Sequence, residues 1–258
     1  CVSVHGAKNS VLPILAATIL SGGVSVIHNC PNLSDVAASI AILEHLGCHV
    51  RREGETVTVE RRSLGDELDF AGVDLIYLGA GTERSQKAAL EHLRLYAGGL
   101  KEALAAGAHL LFTGNAAAML GKTITDASGR TWEGLGLLEF AVRERSDVRY
   151  TGDAIAVHPE LSEPLVGFYN HCEDWEGEVP PLLEMTMGRG NRPEGSAEGL
   201  RQGNVLGTHL IGPVLVKNPH FCDWLLERLL GRAPLPQESD WERQAWQVTY
   251  EALKERKN

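Results

Sequence analysis

The chain has 258 residues and a formal net charge of -10, and its 43% hydrophobic and 22% charged content is that of an ordinary globular protein, long enough for one large domain or two small ones. No cluster of Lys and Arg offsets the acidic balance, which excludes nucleic acid and anionic membrane surfaces as expected partners. The five cysteines are widely spaced with no CxxC pair, so neither a disulfide framework nor a zinc site is suggested, and a reducing cytoplasm fits. The longest mainly apolar run, residues 11–20, contains Pro13 and is too short to cross a bilayer. The start at Cys1 reads as a trimmed chain or a fragment, and no signal peptide is recognisable before residue 11.

Residues 1–60 alternate strand-like and helix-like stretches. Val2-Ser3-Val4-His5 reads as a short strand broken by Gly6. Asn9 or Ser10 can cap a helix over 11–20, with Pro13 tolerated in its first turn and Gly22-Gly23 stopping it. A strand over 24–27 follows. Ser34 is expected to cap a helix over 35–46, with Asp35 at its positive end and Val36, Ile40, Leu43 and Leu46 at helical spacing. Residues 49–52 and 56–60 read as a hairpin around Glu53-Gly54-Glu55. The expected segment is βαβαββ.

The character changes from about Ser63. Residues 74–78 form an apolar strand that runs into Gly79-Ala80-Gly81, a small-residue turn able to present bare N–H groups. Residues 84–106 are helical in pattern, with an interruption near Gly98-Gly99. Residues 110–112 read as a buried strand that breaks at Thr113-Gly114-Asn115 into an alanine-rich run expected to start a helix. Strand, sharp turn and helix make the shape of a nucleophile elbow, which holds one side chain at the C-terminal edge of a parallel sheet. The apex residue here is Gly114, which has no side chain. The β-α-β-α order predicts a mostly parallel sheet. Strands are expected at 148–158 and 164–169, and looping with one strand at 182–187 over 175–204. Residues 204–213 read as strand and turn, 221–230 as a helix, 233–237 as a linker and 241–254 as an amphipathic helix. Glu173, Asp174, Glu176 and Glu178 read as a solvated acidic loop or a partner surface, and Trp241 and Trp246 as a docking face.

Residues 6–17 (Gly-Ala-Lys-Asn-Ser-Val-Leu-Pro-Ile-Leu-Ala-Ala), 31–36, 43–47 and 53–59 carry a resemblance to the N-terminus of UDP-N-acetylglucosamine enolpyruvyl (1-carboxyvinyl) transferases. It implies that Lys8 and Asn9 stand where that family keeps its phosphoenolpyruvate and sugar-nucleotide site. The resemblance ends near residue 60, before the family's catalytic cysteine loop and substrate arginines, so it implies a relic without a complete site.

A second resemblance covers roughly residues 63–250, in order and spacing. It is carried by 74–86 (Asp-Leu-Ile-Tyr-Leu-Gly-Ala-Gly-Thr-Glu-Arg-Ser-Gln), 133–138, 149–153, 166–171 and 207–219. These stretches are similar to the glutaminase subunit (GatD) of lipid II isoglutaminyl synthase, a cobyric-acid-synthase-like class I glutamine amidotransferase. The resemblance implies a three-layer α/β amidotransferase domain over 63–258, preceded by the 1–60 segment. It further implies glutamine as ligand, no cofactor or metal, no membrane insertion, and a Mur-ligase-like synthetase subunit (MurT type) as partner in a cytoplasmic heterodimer.

Glutamine hydrolysis of this class needs a thiolate, a histidine base in reach and an oxyanion hole. The family elbow reads Cys-Gly-Gly-Tyr-Gln ahead of a Leu-Gly. Counted back from Leu120-Gly121, its Cys falls on Gly114, its glycines on Asn115 and Ala116, and its Tyr-Gln on Ala117-Ala118. The family histidine, in Gly-Thr-Tyr-Leu-His-Gly-Pro, falls on Ile211, and His209 takes the Tyr position. Two places along a strand keep the face but move about 6.5 Å, so His209 is not expected to replace the base. Gly79, Ala80 and Gly81 match the oxyanion side and Arg149 an arginine for the glutamine carboxylate; a tight βα turn and a surface salt bridge are the competing readings. Asn115 is a weak polar candidate, and the Thr113 hydroxyl points away from the apex direction. Cys172 follows His171, but adjacent strand residues face opposite ways, which argues against a dyad.

A scaffold that keeps its partner while its glutaminase site is inactive is the favoured reading. The alternatives are an active glutaminase with a displaced nucleophile such as Cys172, and a fusion in which 1–60 replaces the amidotransferase's own first strand and helix.

Overall fold

A computed structural model describes residues 8–21, 23–61, 68–211, 213–234 and 240–257. The expected strand Val2-Ser3-Val4-His5, Gly6, Gly22, Gly212 and linker residues 235–237 lie outside the described residues. The chain divides into two compact units, Cys1–Asp69 and Phe70–Asn258.

The first unit runs α1 (Lys8–Ser21), β1 (Gly23–Ile27), α2 (Ser34–His45), β2 (Cys48–Glu53) and β3 (Thr56–Arg61). Its antiparallel sheet has the order β1-β3-β2. Val57 and Val59 on the central strand bury against Leu15 of α1 and Val36 and Leu43 of α2, with Cys30 and Cys48 in the same core. Gly54 turns the hairpin at φ +61, a conformation that side chains resist. The helix α1 starts three residues before the expected position, so Pro13 falls in its second turn. The expected Ser34 cap is corrected: Leu33 occupies the cap position, and the Ser34 hydroxyl sits 3.3 Å from Asp35 Oδ1 instead.

The second unit continues with β4 (Leu75–Leu78), α3 (Glu83–Arg94), α4 (Ala97–Ala105), β5 (His109–Thr113) and a 3-10 turn over Gly114–Leu120. Then come β6 (Thr123–Thr125), β7 (Thr131–Glu133), β8 (Ala141–Glu144), β9 (Tyr150–Val157), β10 (Leu165–His171) and β11 (Glu173–Glu176). They are followed by β12 (Leu183–Met187), β13 (Ala197–Glu198), β14 (Leu200–Gln202), β15 (Val205–Thr208) and β16 (Leu210–Ile211). Helices α5 (Val214–Lys217), α6 (Pro219–Leu230) and α7 (Trp241–Lys257) close the unit.

The strands β4, β5 and β15 pair in parallel, with Ile76 beside Leu110 and Leu110 beside Val205. This parallel core is smaller than the mostly parallel sheet expected. The edge strand β14 is antiparallel, as is the whole five-stranded sheet β13-β12-β9-β10-β16. Parallel pairing needs a crossover, and the short connections after residue 141 carry no helix to make one. Alternation along β5 sends Leu110 and Phe112 to one apolar core with Leu120, Phe140 and Trp175, and Leu111 to another with Leu206, Leu210 and Phe221. The layered domain is thus organised around β5.

Four local expectations change. The alanine-rich run winds as a 3-10 turn, not an α-helix, with all seven residues buried. The helical break falls at Leu95 and Tyr96, and Gly98 and Gly99 lie inside α4. The expected acidic loop is strand β11, whose alternation buries Glu173 and Trp175 while Glu176 stays exposed. Trp246 is not free for docking: it packs with Ile155, Val166 and Leu253, and its ring nitrogen donates to the Pro164 carbonyl at 3.0 Å. Trp241 remains exposed.

Candidate functional site

The strand β5 delivers the chain to Gly114 in the left-handed region, at φ +62. A Cβ at this position would lie 2.5 Å from Ala80 Cβ and 2.8 Å from Ile211 Cγ2, closer than atoms can pack. The elbow therefore meets the β4–α3 turn and the end of β16 at one point, and apolar carbon fills the space an apex side chain would need. Tyr77, Thr113, Pro213 and Val214 complete a cleft of about 340 Å³ with Gly79, Ala80 and Ile211. None of these lining residues carries a thiol, an imidazole or a carboxylate. The Thr113 hydroxyl is held by Tyr77 Oη at 3.1 Å.

Asn115 braces the neighbouring turn. Its Oδ1 accepts from the Gly81 N–H at 3.1 Å and its Nδ2 donates to the Gly81 carbonyl at 3.0 Å. The Gln86 side chain in turn donates to the Asn115 carbonyl. The bare N–H expected at Gly81 is thus already spent on Asn115.

A different cleft, about 470 Å³, is lined by Glu83, Glu144, Arg145, Asp147, Arg149 and Cys172 among others. Arg149 donates to Glu83 Oε1 at 2.7 Å and to Asn170 Oδ1 at 2.6 Å, and its side chain is half exposed. The Arg149 hydrogen bond holds the Glu83 carboxyl below the usual carboxylate range. The Cys172 thiol, 3.8 Å from Glu83 Oε1, is pushed up to about 11 by burial and by the nearby Glu83, Glu144 and Glu173 charges. That is the opposite of what activates a nucleophilic cysteine. The residues around the elbow cleft do not include Cys172. The side chains of Lys8 and Asn9 lie outside the described residues.

One constellation was not expected. His209, between β15 and β16, is buried among Glu173, Glu198 and His171. Glu198 accepts from the Thr208 hydroxyl at 2.9 Å and from the His209 backbone N–H at 2.6 Å. Burial opposes charge on His209, but hydrogen bonds to Glu173 and Glu198 outweigh it and push its pKa up to about 9. Burial, with the His209 charge, drives His171 well below the normal imidazole range. The available signal was His171 and Glu173 two places apart, the strand period. The acidic composition of 173–178 masked it.

A family model described as "CobB/CobQ-like glutamine amidotransferase domain" matches residues 40–219. The chain is 32% identical to the lipid II isoglutaminyl synthase (glutamine-hydrolyzing) subunit GatD of Staphylococcus aureus, over 80% of this chain and 82% of that protein. It is 27% identical to the subunit of the same name from Streptococcus pneumoniae, over 74% and 72%. A separate similarity links it to UDP-N-acetylglucosamine 1-carboxyvinyltransferase 2 of Caldanaerobacter subterraneus, 63% identical over 65 residues. That match spans only 16% of the transferase.

Proposed function

This chain belongs to the CobB/CobQ-like glutamine amidotransferase family, and from that premise we propose that it is a GatD-type subunit whose glutaminase site is silent. Its role is to bind a Mur-ligase-like synthetase of the MurT type in a cytoplasmic heterodimer that amidates lipid II. One observation carries the silent site: Ala80 and Ile211 occupy the place of an apex side chain at Gly114. A thiolate nucleophile has no room there, and no imidazole among the described residues lines the cleft to serve as its base. Asn115 further occupies the Gly81 N–H that an oxyanion would need. Arg149 is committed to Glu83. Cys172 offers no substitute, because its surroundings favour the thiol over the thiolate.

The first unit is a transferase-derived relic with a core of its own, and contributes no transferase chemistry. The test is ammonia release from glutamine by the purified chain together with its synthetase partner. The expected result is no turnover above the uncatalysed background, with the synthetase still accepting free ammonia. Glutamine turnover abolished by a thiol reagent would overturn the proposal.

A further inference from the structure

Burying a titratable side chain forfeits its hydration, so a buried cluster of them needs a compensating partner. His171, Glu173, Glu198 and His209 are each at most 2% exposed. One donor atom from each of His171, Glu173 and His209 lies within 4.8 Å of the other two. The ring nitrogens are sorted into a back and a front. His209 Nδ1 sits 3.3 Å from Glu198 Oε1, and its Nε2 faces Glu173 Oε1 at 3.1 Å. His171 Nδ1 lies 3.2 Å from the Glu173 carbonyl oxygen, and its Nε2 is buried with no hydrogen-bond partner among the described residues. His171, with an acceptor behind Nδ1 and an unpaired Nε2 in front, is held the way metal-binding imidazoles are, while His209 has Nε2 on Glu173 and Nδ1 beside Glu198 without a formed hydrogen bond.

We propose that His171 Nε2, His209 Nε2 and the Glu173 carboxylate bind one divalent transition-metal ion, zinc first, with Glu198 orienting His209 from behind. Two imidazoles and a carboxylate suit zinc, whose bonds to such donors are about 2.0–2.2 Å. Two ligand atoms on a tetrahedral ion of that size stand about 3.3 Å apart, close to the 3.1 Å between His209 Nε2 and Glu173 Oε1. The two rings stack at 4.1 Å with 21° between their planes, and because an imidazole lone pair lies in its ring plane, a shared ion requires the His171 ring to turn out of this stack. A divalent ion between two neutral imidazoles and two carboxylates leaves the buried cluster with no net charge. Trp175 Nε1, 3.3 Å from Glu173 Oε1, steadies the carboxylate. With all three donors buried, the site is structural: it ties the end of β10 and the start of β11 to the β15–β16 junction.

The full chain, stripped with a chelator and dialysed, is titrated with zinc chloride, and bound metal is counted after gel filtration. One zinc per chain and a higher melting temperature are expected. Cobalt loading is expected to show nitrogen and oxygen ligation with no thiolate charge-transfer band. Cys172→Ser leaves the affinity unchanged, and His171→Asn and Glu173→Gln each lower it at least about tenfold. Absence of stoichiometric zinc on the wild-type chain overturns the site, as does a thiolate band or full affinity in His171→Asn. The wild-type and Cys172→Ser readouts decide the matter even if a cluster variant fails to fold.

Discussion

The elbow and the histidine cluster stand at two ends of one short stretch, Thr208-His209-Leu210-Ile211, and are opposite in chemistry. At Ile211 a reachable cleft is walled by carbon, glycine and two hydroxyls. At His209 four titratable side chains are sealed from solvent. In the cleft, Gly114 holds a left-handed backbone closely against Ala80 and Ile211. In the cluster, each buried charge is matched by a partner of opposite sign or by a hydrogen bond. The cleft is thus shaped by backbone and apolar packing, whereas a buried charge network holds only with its members present.

The largest effect is expected from breaking the cluster. Glu198→Ala leaves the Thr208 hydroxyl and the His209 backbone N–H without their acceptor and removes the carboxylate 3.3 Å from the His209 ring. Removing one partner from a buried charged network costs about 3–5 kcal/mol. A urea midpoint falling by less than a quarter of that equivalent would show that the cluster is not a unit. Next comes the elbow. Gly114→Cys forces a side chain into a left-handed backbone against Ala80 and Ile211, at about 2–4 kcal/mol. Combined with Ala80→Gly the loss is smaller than for Gly114→Cys alone, because the two positions share one space. Equal losses in the single and double variants would mean that the contact is not what excludes the side chain.

Acid is a milder probe. His158, fully buried against Phe221 and Trp224, has its pKa lowered to about 4 by burial. The folded chain then takes up this proton later than the unfolded chain does. Stability from keeping the ring neutral is complete above the unfolded value, about 6.5, and is lost as pH falls through the folded one. Glu160, held down to about 2 by its hydrogen bond to Arg201, adds a loss at lower pH. Urea midpoints from pH 7 to 4 are expected to decline, and His158→Gln to flatten the upper part of that decline. The smallest effect is at Arg149: its ion pair with Glu83 is half exposed, so Arg149→Ala costs less than about 1 kcal/mol. A larger change in the urea midpoint would place it in the folded framework and not on the rim of its cleft.

The elbow was legible because its signals are local. The run Leu110 to Phe112 is apolar, the turn residues are small, and Leu120-Gly121 sets a register. The 3-10 winding was not legible, since seven small or apolar residues buried all round carry no period to read. The extent of antiparallel pairing was hidden for a related reason: which strands pair depends on long-range packing, not on any stretch of chain. Glu173 was misread because composition outweighed alternation. Four acids in six residues look solvated, yet one of them points inward beside Trp175. The cluster it joins draws on residues 171, 173, 198 and 209, which only the fold brings together. The convergence of Gly114, Ala80 and Ile211 was likewise beyond a local reading, because it spans three separate connections of the chain.

The crowding around Gly114 also imposes an order on any mutational route to a side chain there. A single codon change to cysteine meets Ala80 and Ile211 at once and yields a destabilised chain with no base to work with. Trimming Ala80 or exchanging Ile211 first opens space before anything fills it, so the accessible paths start at the walls and reach the apex last. The walls of the cleft, and not the apex, thus decide which residues position 114 tolerates.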